Sequence, residues 1–84
     1  MNSVNWTRKA VKQLLRLDRR HQVQVRDAVG ELRRMPDCRQ VKALSDHADG
    51  YRLRVGNYRV LFDWDGEIRI VAVQEVRKRD ERTY

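Results

Sequence analysis

Apolar residues before Pro36, the only proline, recur with the spacing of a helix. They fall into two runs, Ala10, Val11, Leu14, Leu15 and Leu17 followed by Val25, Ala28, Val29 and Leu32. Asp18 lies between the runs and suits the N-cap of the second helix. Pro36 cannot easily continue that helix, because it lacks a backbone N–H and its ring clashes with the preceding turn. The pattern predicts helices over about 7–17 and 19–35, which form a helical hairpin.

After Pro36 the apolar residues no longer recur with helical spacing but at every second position. The segment Tyr51–Val55 alternates apolar residues with arginine, which predicts a strand. Gly56-Asn57 follows, and glycine in the first central position suits a two-residue type II′ turn. A second strand over Tyr58–Phe62 therefore returns antiparallel to the first. After a turn at 63–66, a last strand from about 67 to 76 completes a meander.

The order of these elements predicts an α+β fold, with the N-terminal helical hairpin packed on one face of a small antiparallel sheet. Residues 37–50 show little periodicity and are predicted to be a loop. Residues 2–6 are weakly patterned and permit a short leading strand. A chain of 84 residues supports one domain, predicted to span 1–84.

The register of the predicted strand hairpin places its arginines on one face. A two-residue turn pairs Val55 with Tyr58, Arg54 with Arg59, Leu53 with Val60, and Arg52 with Leu61. Opposed residues share a face, so Arg52, Arg54 and Arg59 collect on the face away from the core. Like charges in opposition destabilise a strand pair by up to about 1 kcal/mol. The cluster therefore indicates an anionic partner: phosphate matches the planar guanidinium fork, and a carboxylate-rich protein is also compatible.

Basic residues are abundant elsewhere, and the net charge is +7. Residues 1–35 hold 9 Lys and Arg against 3 Asp and Glu. A basic stripe along the two helices comprises Arg8, Lys9, Lys12, Arg16, Arg19 and Arg20. It is either a solvated face or a surface that binds RNA phosphates with strong salt dependence. If the last strand pairs beside the second, the basic run from Arg77 to Arg79 returns close to Arg59.

Several function classes are excluded by the same sequence. The longest apolar run, Ile70–Val73, is far too short to span a bilayer, and no N-terminal signal segment is expected. The lone Cys38 cannot form an internal disulfide. His21 and His47 have no third ligand at metal spacing, so neither a metal site nor a cofactor is expected. Trp6 and Trp64 are predicted to anchor the core. These features predict a cytoplasmic protein.

The segment Tyr51–Phe62, which reads Tyr-Arg-Leu-Arg-Val-Gly-Asn-Tyr-Arg-Val-Leu-Phe, resembles the strand hairpin of the RelE/ParE superfamily of bacterial toxins. The segment Val76–Tyr84 and the helical opening from Trp6 to Asp18 extend the resemblance over nearly the whole chain. It implies the RelE-like microbial RNase fold and a toxin of a type II toxin–antitoxin pair. In the RelE branch the toxin enters the A site of the 70S ribosome and cuts mRNA. The mRNA's own 2′-hydroxyl attacks the adjacent phosphate, without a metal.

The resemblance also implies site residues and partners. The implied catalytic residues are Arg52, Arg54, Arg59, Lys78, Arg79 and Tyr84, the last of which stacks on a base of the mRNA. Arg77 joins the helical stripe as an RNA-binding residue. The best-known RelE members carry lysines on the first hairpin strand where this chain has arginines. Guanidinium stays protonated, so Lys78 is the candidate general base.

The implied partners are a small acidic antitoxin, the ribosome with its mRNA, and operator DNA for the toxin–antitoxin complex. Two alternatives stay open. One is a ParE-like inhibitor of DNA gyrase, which does not need a converging arginine, lysine and tyrosine set. The other is a catalytically silent module that binds RNA or the antitoxin. The arginine cluster favours the nuclease, and cleavage that depends on added ribosomes would separate it from both.

Overall fold

The computed structural model describes residues 1–45 and 50–78, and it contains a five-stranded sheet with two α-helices. The elements in chain order are β1 Ser3–Trp6, α1 Arg8–Leu15, α2 Arg19–Gly30, a 3₁₀ helix Glu31–Arg34, β2 Val41–Ala43, β3 Tyr51–Val55, β4 Tyr58–Asp65 and β5 Ile70–Lys78. The strands lie in the order β1-β5-β4-β3-β2. Within the described residues, no helix is long and apolar enough to cross a membrane. The predicted α+β class is confirmed.

Both predicted helices are present, and both are shorter than predicted. Thr7 caps α1 by accepting a hydrogen bond from the backbone N–H of Ala10 at 3.1 Å. Asp18 occupies the N-cap position of α2, although its side chain makes no capping hydrogen bond. The prediction that the second helix continues to residue 35 is wrong, because α2 ends at Gly30 and a 3₁₀ turn follows. Glycine is a poor helix former, and Pro36 prevents the α-helix from resuming.

The antiparallel sheet is present as predicted, and the leading segment adds a parallel strand that makes the whole sheet mixed. The leading segment forms β1, which pairs parallel to β5 from Ser3 opposite Ile70 to Trp6 opposite Val73. All other neighbouring strands are antiparallel. A parallel pair needs a long crossover, and the helices and meander between β1 and β5 supply it.

Three strands in the second half have other bounds than predicted, and the last of them ends at Lys78 rather than at residue 76. Residues 41–43, predicted to be loop, form the edge strand β2, which is too short for its period to be recognised. Residues 63–65, predicted to be a turn, complete β4. The turn comes later because Asp65 Oδ1 accepts hydrogen bonds from the N–H groups of Glu67 and Ile68. The last strand therefore begins at Ile70 rather than at residue 67.

The core lies between the helices and one face of the sheet. Its fully buried side chains are Phe62, Leu32, Val25, Val29, Val60, Val71 and Val73. The hairpin residues predicted to face the core are all in it or packed against it, which confirms that assignment. Trp6 and Trp64 also pack against the core, as predicted. The opposite face of β3, β4 and β5 carries charged side chains together with the buried Leu61, which is the register partner of Arg52.

Candidate nucleic-acid interface

Three arginines form a single row across the outer face of the sheet, which we call the arginine row. The backbone register places Arg54 opposite Arg59, and Arg59 opposite Arg77 on the next strand. All four residue pairs predicted for the hairpin are present. A type II′ turn requires a positive φ at its first central residue only. Gly56 has a φ of 55°, and the φ of Asn57 is not positive. The row therefore follows from the turn and from the pairing of β5 beside β4.

Arg52 lies one step further from the hairpin turn on the same face. Arg52, Arg54 and Arg59 line one small cleft of about 80 Å³ together with Gly56 and Tyr58. The Arg52 Nε is buried and has no hydrogen-bond partner among residues 1–45 and 50–78. Buried donors are usually paired, so this Nε is an exception among the described residues. The structure thus brings together three of the residues predicted to be catalytic.

Glu75 is a carboxylate beside the arginine row that the sequence did not single out. Arg77 donates to it through Nε and Nη2, each at 3.2 Å, and Lys9 Nζ lies 3.2 Å from its Oε1. Its side chain is only 13% exposed. Burial alone would raise the pKa of the Glu75 carboxyl, but the hydrogen bonds and charges of Lys9 and Arg77 outweigh burial and hold it below its ordinary value. Glu75 therefore ties helix α1 to the arginine row.

The lowered pKa predicts a pH-dependent contribution of Glu75 to stability. Because the folded-state pKa lies below the unfolded value of about 4.3, the ionised carboxylate stabilises the fold above that pH. This contribution is lost as the pH falls through the folded-state value. At neutral pH, Glu75→Gln should lower the free energy of unfolding by about 1 kcal/mol, since solvent screens both half-exposed cations. Urea denaturation at several pH values measures the difference between the two proteins.

The difference in free energy of unfolding between Glu75→Gln and the parent protein should vanish in acid. The exposed Glu67 on the β4–β5 turn provides the matched control, since Glu67→Gln should change stability little at any pH. A stability difference for Glu75→Gln that persists unchanged in acid would show that the carboxylate charge is not what stabilises this contact.

Helix α1 reaches the outer face because it runs along the edge of β5. The β1 strand pairs only with Ile70–Val73 of β5. After Val73, helix α1 covers this edge of β5. The Thr7 hydroxyl donates to the Gln74 carbonyl at 3.2 Å, and the Val76 N–H donates to Gln13 Oε1 at 2.7 Å. All six residues of the predicted basic stripe are exposed. Through Lys9, the stripe is continuous with the outer face of the sheet.

Lys78 lies apart from the arginine row. Its register partner is Tyr58, whose side chain faces the core, so Lys78 belongs to the helix side of the sheet. It lines a neighbouring cavity of about 260 Å³ with His21, Gln24 and Asn57, and with Gly56 and Tyr58, which also line the small arginine-lined cleft. In that cavity, Tyr58 Oη and His21 Nδ1 are hydrogen-bonded at 2.9 Å. The structure therefore does not bring Lys78 together with Arg52, Arg54 and Arg59.

Two of the predicted catalytic residues, Arg79 and Tyr84, lie outside the described residues, as does His47. A lysine that the sequence reasoning missed does lie on the outer face: Lys42 of β2 is directly opposite Arg52. The only signal for it was the apolar-basic-apolar triplet at 41–43. Within the described residues, no group of three His, Cys, Asp or Glu is arranged to hold a metal ion.

Comparison with known proteins identifies the fold. Residues 4–83 match the family model described as "ParE toxin of type II toxin-antitoxin system, parDE". The toxin–antitoxin complex RelBE2 from Mycobacterium tuberculosis contains a similar chain with 31% identity and a TM-score of 0.81. The match covers 93% of this chain and 98% of that one. No curated protein matches the chain.

Two further structures share the fold at lower identity. The archaeal RelE–RelB complex from Pyrococcus horikoshii has a TM-score of 0.80 at 24% identity, with 95% of this chain and 97% of that chain covered. The isolated RelE toxin from E. coli has a TM-score of 0.79 at 19% identity, with 96% of this chain and 87% of that chain covered. A family match over nearly the whole chain and a shared fold agree with the resemblance carried by the strand hairpin. The chain therefore belongs to the RelE/ParE superfamily, whose members are the toxins of type II toxin–antitoxin systems.

Proposed function

We propose that this toxin is an endoribonuclease that cuts mRNA in the ribosomal A site and so inhibits translation. The observation that carries the proposal is the arginine row, together with Arg52 at the shared cleft. Opposed arginines on a sheet are unfavourable without an anion, and a row of them follows a polyanionic chain. Glu75 offsets the charge of Arg77 at one end of this row, and the direct opposition of Arg54 and Arg59 is the feature that favours an anionic ligand.

The proposed reaction needs no metal, because the RNA supplies its own nucleophile. The 2′-oxygen attacks the adjacent phosphorus, the bond from phosphorus to the 5′-oxygen breaks, and a cyclic phosphate forms. The 2′-hydroxyl loses a proton to a base, and the leaving oxygen gains one from an acid. Arg52, Arg54 and Arg59 stabilise the negative charge that develops on the phosphoryl oxygens. Arg79 and Tyr84 complete the proposed site, with Tyr84 stacking on a base.

Proton transfer is assigned to a lysine, since arginine stays protonated. Lys78 is the candidate from the sequence, and Lys42 is the lysine opposite Arg52 on the outer face. A test compares Lys78→Gln with Lys42→Gln in cleavage and in RNA binding. The variant that loses cleavage while still binding RNA identifies the proton acceptor. Positioning of the mRNA by the ribosome supplies the rest of the rate enhancement of cleavage.

The basic surface also supports the proposed partners. We expect a small acidic antitoxin to cover it, because the similar chains of the M. tuberculosis and P. horikoshii structures are in toxin–antitoxin complexes. The exposed helical stripe, with Arg77, would bind ribosomal RNA phosphates in the cytoplasm, and raised salt should weaken that binding. The toxin–antitoxin complex is proposed to bind operator DNA.

The decisive experiment is primer extension on a defined mRNA with purified toxin, with and without ribosomes. Cuts within A-site codons only when ribosomes are present are the expected result. Cuts that appear equally without ribosomes would contradict ribosome dependence. The absence of cuts in both reactions would contradict the nuclease proposal as a whole.

Inhibition of DNA gyrase is the second candidate function, because the matching family model is described as a ParE toxin. A supercoiling assay with purified gyrase tests it directly. Loss of supercoiling together with no mRNA cleavage would select this candidate. Inactivity in both assays, with RNA or antitoxin binding retained, would select the silent binding module.

A further inference from the structure

A larger cavity opens at the sheet edge on the other side of Arg54. It lies between the C-terminal end of α2 and β3, with a volume of about 360 Å³. Its lining residues are Ala28, Glu31, Leu32, Arg34, Asp37, Cys38, Arg39, Gln40, Leu53 and Arg54. We call this space the edge cavity. None of the functions proposed above uses it.

The edge cavity has the composition of a site for a flat, partly polar ligand. Ala28 and the accessible part of Leu53 provide apolar surface, beneath which Leu32 is fully buried in the core. The rim carries carboxylates and guanidinium groups, which can accept and donate hydrogen bonds. Small-molecule sites combine an apolar lining with a few polar groups in this manner, and begin at about 300 Å³.

Arg54 connects the edge cavity to the arginine row. It lines this cavity, and it also lines the small cleft with Arg52 and Arg59. Arg54 is exposed, and its backbone N–H donates to the Gln40 carbonyl at 3.0 Å, which places the 36–40 segment against this end of β3. A nucleotide with its phosphate on the arginine row would therefore have its base within reach of the edge cavity.

We propose that the edge cavity binds a nucleobase of the RNA strand whose phosphate lies on the arginine row. The inference rests on the proposed RNA substrate. A base matches both features of the cavity, because its face is apolar and its edge carries hydrogen-bonding groups. Glu31 and Arg34 of the rim already pair with each other at 3.6 Å, so the continuity of the cavity with the arginine row, through Arg54, is what favours a base. Docking of a protein segment is the alternative that the test must distinguish.

Cys38 provides a reporter inside the edge cavity, since it is the only cysteine in the chain. The thiol is half-buried, and its Sγ donates to the Glu31 carbonyl at 3.3 Å. Burial and the nearby carboxylates of Asp37 and Glu31 raise the pKa of this thiol, so alkylation is slow at neutral pH and measurable in mild alkali. A ligand seated in the cavity should block the reagent.

The test measures the rate of Cys38 alkylation by iodoacetamide in the full chain. A short 2′-O-methyl RNA, which cannot be cut by its own 2′-hydroxyl, is the probe, and polyphosphate is the base-free control. RNA should slow alkylation severalfold, whereas polyphosphate, bound to the same arginines, should leave the rate unchanged. Equal protection by both polyanions would overturn the proposal.

A pair of variants on helix α2 provides a second measurement. Ala28→Met fills the edge cavity, whereas Val23→Met places the same side chain at an exposed position that does not line it. Ala28→Met should weaken binding of the RNA probe about tenfold, as expected for loss of one base contact. Val23→Met should bind as the parent does. Equal affinities for the two variants would contradict base binding.

The outcomes separate this proposal from the proposed nuclease function. RNA that binds through the arginine row without slowing alkylation would overturn the cavity assignment and leave the nuclease intact. Protection of Cys38 by the antitoxin and not by RNA would identify a protein-docking site and overturn base binding. RNA that fails to bind the isolated chain would overturn this inference, whereas the nuclease proposal, which depends on the ribosome, would still be decided by primer extension.

Discussion

Replacing Arg59 with alanine is expected to reduce ribosome-dependent mRNA cleavage by about 100-fold or more, with the fold retained. Arg59 is the central member of the arginine row, paired with Arg54 on one side and with Arg77 on the other. A preorganised donor aimed at a developing charge contributes about 10²–10³ in rate, because it needs no reorganisation as the charge forms. Primer extension over a time course measures the rate.

The control for this variant is Arg26→Ala, which removes the same charge from an exposed position on α2, away from the sheet. Far-UV circular dichroism and thermal unfolding of both variants establish that the fold is present. Undiminished cleavage by Arg59→Ala would contradict the assignment of the arginine row as the phosphate site. An equal loss with Arg26→Ala would instead attribute the effect to net charge.

Replacing Asn2 with alanine is expected to lower the free energy of unfolding by about 2–4 kcal/mol. The Asn2 amide donates to the carbonyls of Arg33 and Met35, each at 3.0 Å, and accepts from Trp64 Nε1 at 3.0 Å. The residue is 7% exposed, so water cannot readily replace these bonds. Each buried group left unpaired costs about 1–3 kcal/mol. Denaturation by urea measures the loss.

The strand that follows Asn2 offers a matched control for Asn2→Ala. Asn5 is exposed on β1, and Asn5→Ala should change stability by less than about 0.5 kcal/mol. Similar effects from the two substitutions would contradict a specific role for the Asn2 bonds. The bonds join the start of the chain, the end of the 3₁₀ helix and β4, three segments that are distant in sequence.

The strand hairpin was predictable in detail because its signals are local. Alternation of side chains selects which residues face the core, and a two-residue turn with glycine at its first central position selects the register. The opposition of Arg54 and Arg59 follows from these two facts. The helices were predictable in number from their apolar spacing, whereas their ends depended on Gly30 and on the cap at Thr7.

Other features depended on contacts that no local pattern reports. β1 and β2 are short, and each is a strand only because a longer neighbour, β5 or β3, provides its hydrogen-bonding partner. Glu75 gains its two cationic partners from its own strand and from α1, which requires α1 to lie along the β5 edge. The sequence alone had left both Lys42 and Glu75 without an assigned role.

By itself, the sequence determined the α+β class, the strand hairpin and the concentration of arginine on its outer face, because side-chain period and turn chemistry act over a few residues. Tertiary structure decided which other charges join that face. It added Arg77 to the arginine row, tied Glu75 to Lys9, placed Lys42 opposite Arg52, and put Lys78 on the helix side. The physical reason is that the side of a sheet occupied by a residue depends on the register of its strand with distant strands, and a single shift of register reverses it.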